Sequence, residues 1–145
     1  MTEKLDIEAR LHTVQHILLQ LLRNKHGVEK VKIRLKPGKM SLDVQSETDL
    51  TQIPRESYEK DVQEVINRAT EVKKYFVKRD RVEGGIDMSE VPEGIDDIRI
   101  VEIVGFNKQA CITSHVDNTK QIGKFRIITM SKSSDNIYRF NFTVD

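Results

Sequence analysis

The stretch Val31-Lys32-Ile33-Arg34-Leu35-Lys36-Pro37-Gly38-Lys39-Met40-Ser41-Leu42-Asp43-Val44 decides the fold class. Val31, Ile33 and Leu35 alternate with Lys32, Arg34 and Lys36, and Met40, Leu42 and Val44 alternate with Ser41 and Asp43. A period of two on both sides of a Pro-Gly pair predicts two antiparallel strands joined by a turn. Each strand has one apolar and one polar face, so the sheet they begin is covered on one side.

Working outward, residues 7–25 predict a helix. Leu11, Val14, Ile17, Leu18, Leu21 and Leu22 recur at the helical 3–4 spacing, and His26-Gly27 supplies its end. After a polar loop, Pro54 opens a second helical stripe: Tyr58, Val62, Val65, Ile66, Ala69, Val72 and Phe76, reaching residue 75, with a β-like run Tyr75-Phe76-Val77 at its end. Residues 80–97 are irregular and predict a long connection, the natural place for a lid. Residues 98–104 are the most strand-like run and predict a central strand. Residues 124–131 and 136–144 predict a last hairpin, with Tyr138, Phe140, Phe142 and Val144 on one face. The order is α, ββ, α, then β to the end. That predicts an α+β fold, a largely antiparallel sheet packed with two main helices.

A length of 145 residues predicts one domain, 1–145. A net charge of +1 gives no global field to attract nucleic acid, so any such footprint is local. The single cysteine excludes an internal disulfide. The start, Met1-Thr2-Glu3-Lys4-Leu5-Asp6, lacks the apolar stretch of a secretory leader, and no window approaches the roughly 20 apolar residues of a membrane span. A soluble cytoplasmic protein with no membrane contact and no obligate protein partner is the expectation.

Chemistry concentrates in two short segments. Arg10-Leu11-His12-Thr13-Val14-Gln15-His16 places histidines at i and i+4 of the first helix, about 40° apart. They stand off the leucine stripe, so they lie at the surface or face a second, polar environment. Cys111-Ile112-Thr113-Ser114-His115 repeats the spacing with the only cysteine. Imidazole nitrogen and thiolate sulfur are the donors Zn2+ prefers. His12, His16, Cys111 and His115 therefore form a candidate metal set. Thr13 and Val14 follow His12 where a metallopeptidase would need a glutamate, which removes that reading. Spacing leaves three options open: a catalytic metal, a structural metal, or a surface histidine pair beside a buried cysteine.

Two basic clusters stand apart. Lys30, Lys32, Arg34, Lys36 and Lys39 line the first hairpin, and Lys73, Lys74, Lys78, Arg79 and Arg81 close the second helical stripe. Lys32, Arg34 and Lys36 would project from one strand face, a geometry that suits phosphates and equally a solvated polar face.

The segments Arg10–Leu18 and Cys111-Ile112-Thr113-Ser114-His115-Val116-Asp117-Asn118-Thr119-Lys120-Gln121-Ile122-Gly123 resemble the two signatures of the alanyl-tRNA editing family, relatives of the editing domains of alanyl- and threonyl-tRNA synthetases. Ile98–Phe106 and the closing strand with Arg139 fit the same pattern, and the chain has the look of the family's short form. The resemblance implies that family's editing-domain fold and a trans-editing hydrolase that cleaves serine or glycine from the acceptor end of mischarged tRNA for alanine. It implies zinc on His12, His16, Cys111 and His115. It places Thr13, Thr113 and Ser114 beside the amino-acid pocket, Thr113-Ser114 standing where the synthetase form carries Gly-Thr. Lys32, Arg34, Lys36 and Arg139 are the candidate tRNA contacts. Removal of serine from threonine tRNA, and a non-catalytic zinc-stabilised tRNA-binding module, are the alternatives.

Overall fold

A computed structural model describes residues 6–145, so the charged start at Met1–Leu5 lies outside the described residues. Two helices, α1 (Asp6–His26) and α2 (Arg55–Asn67), pack with seven strands: β1 (Glu29–Lys36), β2 (Lys39–Gln45), β3 (Val72–Lys78), β4 (Asp97–Ile103), β5 (Asn107–Ala110), β6 (Phe125–Ser134) and β7 (Ile137–Val144). The strands form two separate sheets, ordered β1-β2-β7-β6 and β3-β4-β5. Every pairing is antiparallel, and β4 is central in its sheet, as its composition predicts.

The hairpin is built as expected. Gly38 supplies the positive φ (73°) of the turn, and Met40, Leu42 and Val44 face the core opposite Phe142, Phe140 and Tyr138. Two details depart from the alternating pattern. Ser41 and Asp43, on the polar face of β2, are also buried. A bulge between Lys30 and Lys32 makes Val31 the extra residue of an edge strand, so Val31 is 50% exposed while the Lys30 side chain is only 10% exposed.

The second helix is shorter than its stripe predicts. It stops at Asn67, Ala69 turns left-handed (φ 53°), and Val72–Lys78 pair in full register with Ile103–Asp97. The 3–4 spacing of Ala69, Val72 and Phe76 is therefore not a helical face, and Phe76 is 66% exposed. The basic cluster Lys73–Arg81 lies on β3 and the 3-10 turn Arg79–Arg81, not on a helix.

α1 lies between the two sheets and is buried nearly all round from Leu11 to Leu19. Gly27 (φ 63°) ends it, donating its N–H to the Arg23 carbonyl at 2.9 Å. One side of α1 joins the main core with Phe140, Phe142, Ile127 and the α2 residues Val62, Val65 and Ile66. Behind the three-stranded sheet a smaller core holds Ile98, Ile100 and Ala110 under Tyr75, Val77, Val82, Ile86, Met88 and Val91. The irregular stretch after β3 is thus packed chain. It rounds the free edge of β5, where Ala110 N–H donates to the Asp87 carbonyl at 3.3 Å. No helix among the described residues is long and apolar enough to cross a membrane.

Candidate metal centre

The helix carries His12 and His16 toward β5 and the loop that follows it. Alternation along β5 turns Asn107, Gln109 and Cys111 to the same side, and Asn107 Nδ2 donates to Gln20 Oε1 of α1 at 2.8 Å. The histidines consequently face a buried polar seam. His16 is 1% exposed and His12 8%, which excludes the surface alternative. The helical wheel sets His12 and His16 off the leucine stripe, and the second, polar environment is the option that the structure realises.

Residues about a hundred positions apart meet in this seam. Ligand atoms of His16, Cys111 and His115 all lie within 4.8 Å of one another, and all three side chains are buried. Their rings and sulfur are close: the His16 and His115 ring centroids are 4.6 Å apart, and His115 Nε2 lies 3.4 Å from Cys111 Sγ. His12 stands further out, its ring centroid 6.1 Å from that of His115, and is not in the tight group.

Local hydrogen bonds orient the set. Thr13 is fully buried. Its hydroxyl has one proton and two lone pairs. The proton goes to the Ala9 carbonyl (2.8 Å), and the lone pairs receive Val116 N–H (3.1 Å) and the Nδ1–H of His115 (3.0 Å). That tautomer leaves a lone pair on Nε2, the nitrogen nearest Cys111. Arg99 of β4 clamps the loop by donating to the carbonyls of Cys111 (3.3 Å) and Thr113 (2.7 Å). Thr113 Oγ1 sits 3.0 Å from Cys111 Sγ, and Ser114 is exposed. Downstream, Asn118 and Gln121 form a reciprocal cap on the 3-10 turn Thr119–Ile122, and Gly123 (φ 88°) lies so close to the Asp145 carbonyl and Arg10 that a Cβ would collide at 2.6 and 2.9 Å. The Asn-Thr and Ile-Gly pairs of the second signature are therefore parts that fix the loop.

The electrostatics favour neutral donors. Burial drives His16 down to about 3, helped by His12 and Lys30, and burial likewise lowers His115 and, less completely, His12. Burial pushes the Cys111 thiol up, against hydrogen bonds from Thr113. Both ring nitrogens of His16 are buried without a hydrogen-bond partner. A buried imidazole with two unmet nitrogens is costly, and a metal would satisfy the one that carries the lone pair. The nitrogen and sulfur donors are the types that zinc takes, so the residues fit a bound metal.

Lys30, Asp87, Glu90 and Arg99 are structural parts of this site that pattern reading does not find. Lys30 is turned inward by the bulge and pairs with Asp87 (3.0 Å) and Glu90 (2.7 Å). Asp87 also meets Arg23 at 3.5 Å; burial opposes its charge, but Ser89 and Lys30 hold it well below the usual carboxylate range. Only Arg99 left a signal, a cation inside an otherwise apolar run. The four basic candidates lie elsewhere, on the outer face of the four-stranded sheet. Lys32 pairs in register with Asp43, and Asp43 with Arg139. Arg139 grips Asp43 through two hydrogen bonds (2.8 and 3.0 Å), Arg34 approaches it at 3.6 Å, and Lys32 and Lys36 are exposed.

Comparison with known proteins gives a consistent result. Residues 98–141 match the domain family described as the threonyl and alanyl tRNA synthetase second additional domain. The chain is 30% identical over 144 residues to an alanine–tRNA ligase of Ignicoccus hospitalis, covering 92% of this chain and 15% of that protein. It is 34% identical over 137 residues to an alanine–tRNA ligase of Pseudothermotoga lettingae, covering 90% of this chain and 16% of the ligase. It is 28% identical over 145 residues to the alanyl-tRNA editing protein AlaX-M of Methanosarcina barkeri, covering 93% of this chain and 57% of that protein. These matches span both signatures, so the chain resembles the editing regions of these proteins, while it covers only 15% to 57% of their length.

Proposed function

We propose that this chain is a zinc-dependent aminoacyl-tRNA deacylase that removes serine or glycine wrongly attached to tRNA for alanine. The observation that carries the reading is the meeting of two remote signatures in one buried cluster whose central imidazole, His16, has no protein partner. The alanyl-tRNA editing protein and the alanine–tRNA ligases it resembles support the substrate class. In this reading His16, Cys111 and His115 hold the zinc, with His12 as the outermost donor.

When bound, zinc supplies Lewis-acid polarisation and an activated water. The chain's own residues do the positioning. Thr13 holds His115 in one tautomer, Arg99 holds the Cys111–Thr113 backbone, and Asp87 and Glu90, from the segment that rounds the β5 edge, hold Lys30 beside the cluster. An aminoacyl ester is an activated acyl group, so no side-chain nucleophile is required. Thr113 and Thr13, with Ser114 on the same loop, are the proposed pocket residues. Excluding one methylene is worth only about 1–3 kcal/mol, which is why a second, hydrolytic selection step is useful for small amino acids. Lys32, Arg34, Lys36 and Arg139 are the proposed contacts to the acceptor end, in a cytoplasmic setting.

The test is a panel of charged tRNAs: seryl, glycyl and alanyl on alanine tRNA, and seryl on threonine tRNA, with zinc measured per chain. Hydrolysis of the first two with alanyl-tRNA spared is the expected result. Activity confined to the threonine tRNA, or none from protein carrying a full complement of zinc, overturns it.

A further inference from the structure

Glu90 has no assigned role, yet its placement is specific. It lies on the segment that rounds the β5 edge and is 20% exposed. One oxygen, Oε2, accepts from Lys30 at 2.7 Å. The other, Oε1, faces the cluster and accepts a long hydrogen bond from the Cys111 thiol at 3.8 Å. Lys30 is itself held by Asp87, whose other oxygen is engaged by Ser89 N–H at 2.8 Å. So Asp87 is committed on both oxygens, while Glu90 keeps one turned to the site. The carboxylate does not join the tight donor group, which consists of His16, Cys111 and His115. It flanks that group at Cys111, and Glu90 and the exposed Glu8 are the acidic groups that act on His12. Cations act on the group as well: Lys30, which Glu90 holds, and Arg23 on His16 against Asp87, and Arg99 and Lys74 on His115.

An aminoacyl ester brings its own charge to such a site. Its α-amino group sits one carbon from the reacting carbonyl and is a cation near neutral pH. A cation entering a partly buried site among Lys30, Arg23 and Arg99 needs an anionic acceptor, and charge-assisted hydrogen bonds are the strong kind. We propose that Glu90 Oε1 receives the α-ammonium group of the aminoacyl ester, with Lys30 and Asp87 fixing the carboxylate in place. The assignment rests on the deacylase reading and deepens it: the site would select a free amino terminus and reject N-blocked esters.

The experiment pairs two substrates with two measurements. Seryl-tRNA and N-acetylseryl-tRNA for alanine are compared as substrates, and the non-hydrolysable 3′-amide of seryl-adenosine and its N-acetyl form are compared as ligands by calorimetry. The wild type is expected to favour the free amine by about 10- to 100-fold in both. Glu90→Gln should lose most of that preference, binding the acetylated ligand as before and retaining its metal; Glu90→Asp should recover part of it. Wild-type hydrolysis with no preference for the free amine, an unchanged preference in Glu90→Gln, or loss of metal from that variant overturns the assignment. Failure of the wild type to hydrolyse any aminoacyl-tRNA overturns the deacylase reading and this assignment with it.

Discussion

The two faces of α1 differ in how they are paid for. Toward α2 and the four-stranded sheet, α1 meets aliphatic and aromatic side chains, among them Phe140 in edge-on contact with Tyr58 at 5.2 Å between centroids. Toward β5 it meets a polar seam in which His16, Gln109 and the side-chain oxygen of Asn107 lack partners. The first interface is stable through burial. The second is left incomplete by the protein, and unmet buried donors and acceptors are where a ligand has most to offer. The contrast teaches that the scaffold lies on one side of a single helix and the chemistry on the other.

The largest expected effects break the polar side alone. His16→Ala and Cys111→Ala should each cut zinc from about one per chain to well below and lower deacylation by at least about 10³-fold, since either removes a donor from the tight group. His12→Ala should do less, because His12 lies outside that group. Thr13→Val should lower metal affinity by about 10- to 100-fold through loss of the His115 orientation. Metal analysis and a chelator competition series measure all four. If His12→Ala proves as severe as His16→Ala, the division between tight group and outer donor is wrong.

The apolar side breaks differently. Phe140→Ala should cost about 3–5 kcal/mol in denaturant unfolding, with the metal content of the folded fraction unchanged. On the same sheet, Arg139→Ala leaves the buried Asp43 carboxylate with the weaker neighbours Arg34 and Lys32, and should lower the Tm by about 2–5 °C. A large loss of metal in either variant would show that the two faces of α1 are not separable.

That separation was only half legible in the amino-acid order. The hairpins, the central β4 and the apolar stripe of α1 follow from local periodicity, which tertiary packing here reinforces. The joining of His16 to Cys111 and His115 was also readable, because histidine and cysteine are scarce and the spacing is repeated. What periodicity could not show is whatever depends on a second partner. The helix has two buried faces, so a wheel with one stripe leaves His12 and His16 open between the surface and a second, polar environment, and packing selects the second. Val72 and Phe76 mimic a helical spacing, but strand pairing with β4 wins. Lys30 reads as one more surface lysine until a bulge turns it inward, and Asp87 and Glu90 reach the site only because their segment wraps the β5 edge.

The last expected effect separates the two sides along the pH axis in metal-free protein. His16 is held at about 3, and His115 and His12 are also lowered, each by burial first. Their unfolded-state value is near 6.5. Between those values the unfolded chain binds protons that the folded chain refuses, so stability is full above about pH 6.5 and falls as pH drops toward 3. The slope is about 1.4 kcal/mol per pH unit for each histidine that stays neutral. Asp43 has the opposite chemistry: hydrogen bonds from Arg139 hold it below its usual value, so its contribution is present above about pH 4 and is lost only as pH falls further. Metal-free protein should therefore weaken between pH 6.5 and 4.5 through the seam alone, before the ion pair of the four-stranded sheet titrates. His16→Phe, which removes a titrating group and leaves Asp43 untouched, should flatten the upper part of the profile and leave the lower part unchanged. A wild-type profile that is level from pH 7 to 4.5 would mean that the buried imidazoles are already charged or solvated, and the polar seam would lose its distinction from the rest of the core.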